Sequence, residues 1–91
     1  MKKNINYNYV IVCYDVGEKR VNKVFKICKK YLSHYQLSIF RGPITSSKLI
    51  LLKKELKKVI DLEEDFISII KLQSENVFEE ELLGVVKEES A

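Results

Sequence analysis

The apolar run from Tyr9 to Tyr14 is the feature that most constrains the fold of this chain, because no polar residue interrupts it. A run of this kind, rich in β-branched residues, is typical of a strand that is covered on both faces. It ends at Asp15, which places a carboxylate at the rim of the predicted sheet, where ligands commonly bind. Gly17 then permits a tight turn, and a basic helix follows.

Apolar residues recur at helical spacing after this turn and predict a first helix from about Lys19 to Ser33. The residues of its core face are Val21, Val24, Phe25, Cys28 and Leu32. Lysine recurs at the same period on the opposite face, at Lys19, Lys23, Lys26 and Lys30. That face either is solvated, since exposed helix positions favour lysine, or binds a polyanion.

Further strands and a second helix are predicted downstream of this helix. Alternating residues from Tyr35 to Arg41 predict a second strand, and Gly42-Pro43 then turns the chain before a short third strand. The alternative is a single bent strand. Hydroxyl residues at 45–47 offer N-caps for a helix from about Ser47 to Asp61, and residues 65–72 predict the last strand.

This order of elements predicts an α+β fold, a ferredoxin-like βαββαβ sheet with both helices on one face. One domain is expected over residues 1–91, with its core at about 5–72. The first strand is apolar on both sides, so the uncovered face of the sheet predicts a two-fold dimer through that face. Residues 82–86 predict a short extra C-terminal strand, in a pairing segment of about 77–87, that pairs within its own subunit or with a partner.

Composition and motifs exclude several classes of protein. No run approaches the ~20 apolar residues of a membrane span, and the basic N-terminus lacks a small-residue cleavage site, so a cytoplasmic location without membrane contact is expected. Cys13 and Cys28 are expected to be buried free thiols, and no spacing of Cys or His predicts zinc. The net charge of +3 divides into a basic part, residues 1–58, and an acidic part, residues 61–91, which indicates a face for a polyanion.

Asp15 is the one acid that stands where a rigid strand ends beside a basic helix. A single carboxylate is a poor Mg²⁺ site, because this ion prefers octahedral coordination by oxygen. A two-fold axis near the strand ends would bring two copies of Asp15 together, which predicts one Mg²⁺ per dimer, shared by both. The alternative is that Asp15 caps the following turn or pairs with Arg20.

Three motifs resemble those of the CRISPR-associated Cas-two family of small spacer-acquisition proteins. They are Tyr14-Asp15, Lys19-Arg20 and the stretch from Gln36 to Gly42, and the resemblance extends over about Tyr9 to Leu72. It implies a homodimer with facing sheets and a metal-dependent endonuclease that hydrolyses RNA or duplex DNA. It also implies DNA, and in some relatives RNA, as the nucleic-acid partner. The implied protein partner is the Cas-one integrase, whose dimers the protein would bridge during spacer acquisition. A non-catalytic DNA-binding adaptor and a toxin-type ribonuclease of the same fold are the alternatives.

The resemblance also implies roles for individual residues. Asp15 would be the metal ligand, Tyr14 its neighbour in the catalytic site, and Ser38 and Phe40 residues that line the site. Packing in the core is the alternative for Phe40. The predicted nucleic-acid contacts are Lys19 and Arg20, which the resemblance implies, the rest of the lysine face at Lys23, Lys26 and Lys30, and Arg41. Arg41 stands where relatives often have an acid, and it makes this rim more basic.

Overall fold

The computed structural model of the protein describes residues 6–85. Its elements in chain order are β1 (Tyr9–Asp15), α1 (Glu18–Tyr31), β2 (Ser33–Gln36), β3 (Ile39–Pro43), α2 (Ser46–Val59) and β4 (Phe66–Leu72). A single 3₁₀ turn, Glu75–Val77, follows β4. The four strands form one antiparallel sheet in the order β2-β3-β1-β4. This is the ferredoxin-like arrangement that the order of elements predicts.

The central strand β1 determines the two faces of the sheet. It pairs with β3 on one side and with β4 on the other, from Tyr9 opposite Leu72 to Asp15 opposite Phe66. Because side chains alternate along a strand, Val10, Val12 and Tyr14 share the face that the helices cover. The opposite face, here called the outer face, carries the residues between them. On β1 these are Tyr9, Ile11, Cys13 and Asp15.

The core lies between the sheet and the two helices. Leu52 of α2 and Phe40 of β3 are fully buried in it, as are the helix-facing valines of β1. The predicted core face of α1 is correct at Val24, Cys28 and Leu32, whereas Val21 in the first turn is exposed. Thr45 caps α2 as predicted, because its hydroxyl oxygen accepts a hydrogen bond from the Lys48 amide at 3.3 Å. No helix within residues 6–85 is long and apolar enough to cross a membrane.

The turn between β2 and β3 lies earlier than the sequence predicts. The predicted continuous strand from Tyr35 to Arg41 is interrupted at Leu37, whose φ of 43° is left-handed. His34 Nε2 lies 2.8 Å from the Leu37 carbonyl oxygen, and because a carbonyl only accepts, this ring nitrogen donates. Gly42 and Pro43, the predicted turn, lie inside β3 instead. The chain therefore forms a hairpin and not the alternative single bent strand, but the predicted turn at Gly42-Pro43 is wrong, because the turn lies at Leu37.

The segment after β4 lies against the outer face. Phe78 packs on Tyr9 with 5.7 Å between the ring centroids, so Tyr9 is buried although it faces away from the helices. Residues 82–85 form no strand in this structure, and Val86 lies outside the described residues. Pairing of this segment with a second copy of the chain stays a prediction.

Leu52 and its neighbour Leu51 test the position of the core directly. We expect Leu52→Ala to lower the free energy of unfolding by about 2–5 kcal/mol, since it opens a cavity at a fully buried position. Leu51→Ala changes the same residue type on the same helix at a half-exposed position and should cost about 1 kcal/mol or less. Urea denaturation measures both values, and equal losses would contradict the described packing of α2.

Candidate metal and nucleic-acid site at the end of β1

The Asp15 carboxylate is exposed at the end of β1, on the outer face of the sheet. It makes no hydrogen bond or ion pair with another residue in the range 6–85. The N-cap of α1 is Gly17, which has no side chain, so the first turn has no side-chain cap and Asp15 does not cap it. The Gly17 carbonyl accepts the main-chain hydrogen bonds from the amides of Arg20 at 2.9 Å and Val21 at 3.1 Å. Arg20 pairs with other acids. Both alternatives for Asp15, the turn cap and the Arg20 partner, are therefore absent from this part of the chain.

Arg20 instead pairs with Asp65, a residue for which the sequence predicts no role in the site. Its Nε and Nη2 donate to the two oxygens of the Asp65 carboxylate at 2.5 and 2.9 Å. The same carboxylate accepts from the amides of Gly17 and Asp61, each at 2.8 Å, and its side chain is fully buried. Four donors thus surround one acid. We call this arrangement the Asp65 clamp.

The Asp65 clamp fixes the backbone that follows Asp15. It joins the turn at Gly17, the first turn of α1 and the residue before β4. A Cβ atom at Gly17 would lie 2.5 Å from Arg20 Nη2, so a larger residue here would require the guanidinium to move from its position beside Asp65. The hydrogen bond from Arg20 is the main cause that holds the pKa of Asp65 far below its usual range, followed by the amides of Asp61 and Gly17. The carboxylate therefore stays ionised, and the turn beside Asp15 stays in place.

One signal in the sequence could have identified Asp65. It directly precedes the last apolar strand, as Asp15 directly ends the first. Because the two strands are antiparallel neighbours, those two positions meet at the same end of the sheet.

Of the other predicted catalytic residues, Tyr14 and Phe40 do not share the surface of Asp15. Tyr14 and Phe40 are buried on the helix side, with their rings stacked at 6.3 Å between centroids. Burial raises the pKa of Tyr14 to about 12, so its hydroxyl stays protonated near neutral pH. Ser38 does lie near, because its carbonyl oxygen accepts from the Tyr14 amide at 3.1 Å. The structure therefore brings Ser38 to the end of β1 and places both aromatic rings in the core.

The predicted nucleic-acid contacts divide into two groups. Lys19, Lys23 and Lys26 are exposed on α1 and make no ion pair with another residue in the range 6–85. Arg20, Lys30 and Arg41 already have carboxylate partners. For Arg20 the partner is Asp65, for Lys30 it is Glu55, and for Arg41 it is Glu80. The unpaired lysines are the ones that can bind phosphate without first breaking an internal ion pair.

Asp15 offers one hard oxygen ligand to a divalent metal. Residues 6–85 contain no cluster of three or more His, Cys, Asp or Glu side chains that could hold a metal ion. A carboxylate at an exposed rim fits the chemistry of Mg²⁺, which prefers oxygen ligands and retains several waters. One chain therefore supplies part of a coordination shell. A cleft of about 370 Å³, lined by Tyr31, Thr45 and Lys48 among others, lies at the other end of β1.

The family described as CRISPR associated protein Cas2 matches residues 8–80 of the chain. The chain belongs to this family. The resemblance of the motifs to the Cas-two family is therefore confirmed.

Individual Cas2 relatives cover nearly the whole chain. A protein of Thermodesulfovibrio yellowstonii named CRISPR-associated endoribonuclease Cas2 3 is 48% identical over 80 residues, which cover 88% of this chain and 91% of the relative. CRISPR-associated endoribonuclease Cas2 of Thermotoga maritima is 44% identical over 81 residues, which cover 89% and 93%. A solved structure titled "Crystal structure of cas2" matches with a TM-score of 0.81 and 34% identity, covering 93% of this chain and 95% of its own. These names are those of the endonuclease class that the resemblance implies.

The Asp65 clamp predicts a specific dependence of stability on pH. The pKa of Asp65 is lower in the folded state than the ~3.9 of an unfolded chain, so its contribution is complete above about pH 4 and is lost as the pH falls towards the folded-state pKa. We expect Asp65→Asn to be less stable than the parent at pH 7 and to lose less stability between about pH 4 and pH 2. Urea denaturation at several pH values measures this difference.

Glu64→Gln is the matched control for this variant. Glu64 lies 3.6 Å from Arg20 Nη2 but is exposed, and screening by solvent keeps such a pair weak. The free energy of unfolding of Glu64→Gln should therefore change with pH as that of the parent does. If Asp65→Asn and the parent lose the same free energy of unfolding between about pH 4 and pH 2, the Asp65 clamp is not the source of the pH dependence.

Proposed function

We propose that this Cas2 family member is a CRISPR-associated, divalent-metal-dependent endonuclease that hydrolyses RNA or duplex DNA as a homodimer. The observation that carries the proposal is the Asp15 carboxylate, which is exposed and unpaired among residues 6–85 at the end of β1. The relatives' name, CRISPR-associated endoribonuclease, supports the same activity for this chain.

The outer face supports a dimer through the sheet. Phe66 and Ile70 of β4 are 63% and 47% exposed on it, beside the half-buried Ile11 and Ile39. An apolar face of this kind marks an interface, and a second copy with the same face buries it with two-fold symmetry. Asp15 shares this face with Ile11, so a two-fold axis near the strand ends brings two carboxylates together.

The paired carboxylates of Asp15 would hold one Mg²⁺ per dimer. A bound metal supplies activation of water or polarisation of a phosphoryl oxygen. The Asp65 clamp holds the turn after each Asp15, so the carboxylates need little reorganisation to bind the ion.

Nucleic acid would bind along α1, through Lys19, Lys23 and Lys26. They are exposed, lie on one helix and carry no ion pair in the described part of the chain. The Cas-two resemblance extends this proposal to a dimer that binds DNA and bridges the Cas-one integrase during spacer acquisition. A complex of the two proteins in size-exclusion chromatography tests this step. An adaptor without turnover would use the same lysines and would not need Asp15.

Replacement of Asp15 tests the catalytic proposal. We expect Asp15→Asn to abolish magnesium-dependent cleavage of RNA or duplex DNA, because the amide is a weaker and uncharged ligand. Dimer formation should survive, since the side chain is exposed at the rim. Glu63→Gln removes the same charge from an exposed side chain outside the candidate site and should leave the rate unchanged. The readouts are product formation against metal concentration and molar mass in solution.

The outcomes separate the candidate functions. Cleavage that Asp15→Asn leaves intact would assign the activity to a contaminating nuclease. A parent protein that binds DNA and cuts nothing would be the adaptor, and growth arrest on expression alone would indicate the toxin-type ribonuclease.

Salt dependence tests the lysine face. Each phosphate contact on duplex DNA contributes about 0.9 to the slope of log K against log salt concentration, so the triple replacement of Lys19, Lys23 and Lys26 by Gln should lower that slope by about 2.7. The matched control replaces three exposed lysines of α2 by Gln. They are Lys53, Lys54 and Lys57. Equal effects of the two triple variants would mean that only net charge matters, and would refute α1 as the contact surface.

A further inference from the structure

Arg41, for which the sequence predicts a nucleic-acid contact, forms a bidentate ion pair on the outer face. Its Nη1 and Nη2 donate to the two oxygens of Glu80 at 2.7 and 3.0 Å. The guanidinium also lies over the Tyr35 ring, with its carbon 3.9 Å from the centroid. A bidentate pair that is also stacked on an aromatic ring has little freedom, unlike an ordinary surface ion pair.

These contacts connect the tail to the far side of the sheet. Strand β4 ends at Leu72. In the tail that follows, Phe78 packs on Tyr9 of β1 and Glu80 pairs with Arg41 of β3. The tail therefore crosses the outer face from β4, over β1, to β3. The side chains of Arg41 and Glu80 are only 25% and 30% exposed, so the pair is partly removed from solvent.

The residues after this pair are apolar and exposed. Leu83 and Val85 are 97% and 88% exposed, and Leu82 is half exposed. Two residues span at most about 7 Å, so the position of Glu80 determines where Leu82 begins. A monomer gains nothing from presenting such residues to water.

We propose that Tyr35, Arg41 and Glu80 form a tail latch that presents Leu82–Val85 to a second copy of this chain. The proposal rests on the dimer of the proposed function and identifies what positions its interface. The three residues are positioning residues, because they act through the segment that follows them.

A second copy is the occupant that the surface favours. The exposed tail residues follow directly on the tail segment that lies against the outer face, whose own exposed residues, such as Ile70, are apolar. In a two-fold dimer each copy supplies both the tail and the surface that receives it, and an extended apolar segment can add to an exposed sheet edge. Nucleic acid is disfavoured, because Glu79 and Glu81 flank the latch and repel phosphate.

Reversal of the two charges tests the latch. We expect Glu80→Arg and Arg41→Glu each to raise the dimer dissociation constant about 10-fold, as for the loss of one charge-assisted pair. The double variant Arg41→Glu/Glu80→Arg restores the opposite charges and should recover most of the affinity. Glu79→Arg changes the same charge at the adjacent exposed position and should shift the constant less than about 2-fold. Sedimentation equilibrium over a dilution series gives all four constants.

A second measurement separates positioning from loss of the fold. The far-ultraviolet circular dichroism of each variant should match that of the parent, because the latch lies outside the core. The latch would be overturned if Glu80→Arg left the dimer dissociation constant unchanged, or if the double variant dimerised as weakly as the single variants. Neither result would contradict the proposed dimer. A parent chain that is monomeric at every concentration would overturn both, whereas loss of cleavage with an intact dimer would concern only the proposed function.

Discussion

The structure around Asp15 depends on the buried carboxylate of Asp65. That carboxylate accepts from the Arg20 guanidinium and from two backbone amides, so it joins the turn after β1, the start of α1 and the start of β4. A buried acid without these donors would carry a large desolvation cost, and an arginine without the acid would be left as an unpaired cation. Each partner therefore constrains the other, and the exposed Asp15 beside them gains a rigid backbone without contributing to the clamp.

At this end of the sheet, one carboxylate stabilises the fold and a different one is left for the proposed metal site. Asp65 is satisfied internally and stabilises the backbone, whereas Asp15 has no partner among residues 6–85, as the proposed metal site requires. The same separation applies to the cations. Arg20, Lys30 and Arg41 hold elements of the fold together, and the lysines of α1 that lack a carboxylate partner in the described range stay available to phosphate. Exposure alone would not distinguish the two groups.

Local patterns were enough to predict the helices, the central strand and the sheet order. The N-cap at Thr45 and the placement of Asp15 at the rim follow from the same kind of pattern, and the ordered motifs were enough for the family. The hairpin turn at Leu37 was not predictable, because a leucine in the left-handed region gives no turn signal and Gly42-Pro43 gives a false one. The Asp65 clamp and the Arg41 pair join residues 45 and 39 positions apart, and no periodicity in the sequence reports such contacts.

The alternation of β1 has a genetic consequence. Asp15 shares its face of the strand with Ile11, so the residues that would bring two chains together and the residue that would bind metal lie on one surface. In the proposed dimer each chain would carry half of a site, and neither half would be useful alone. A defective copy that still dimerises would silence the normal copy with which it pairs. In a cell that holds both, substitutions at Asp15 would act as dominant-negative alleles, whereas substitutions that destroy the core would act as recessive ones.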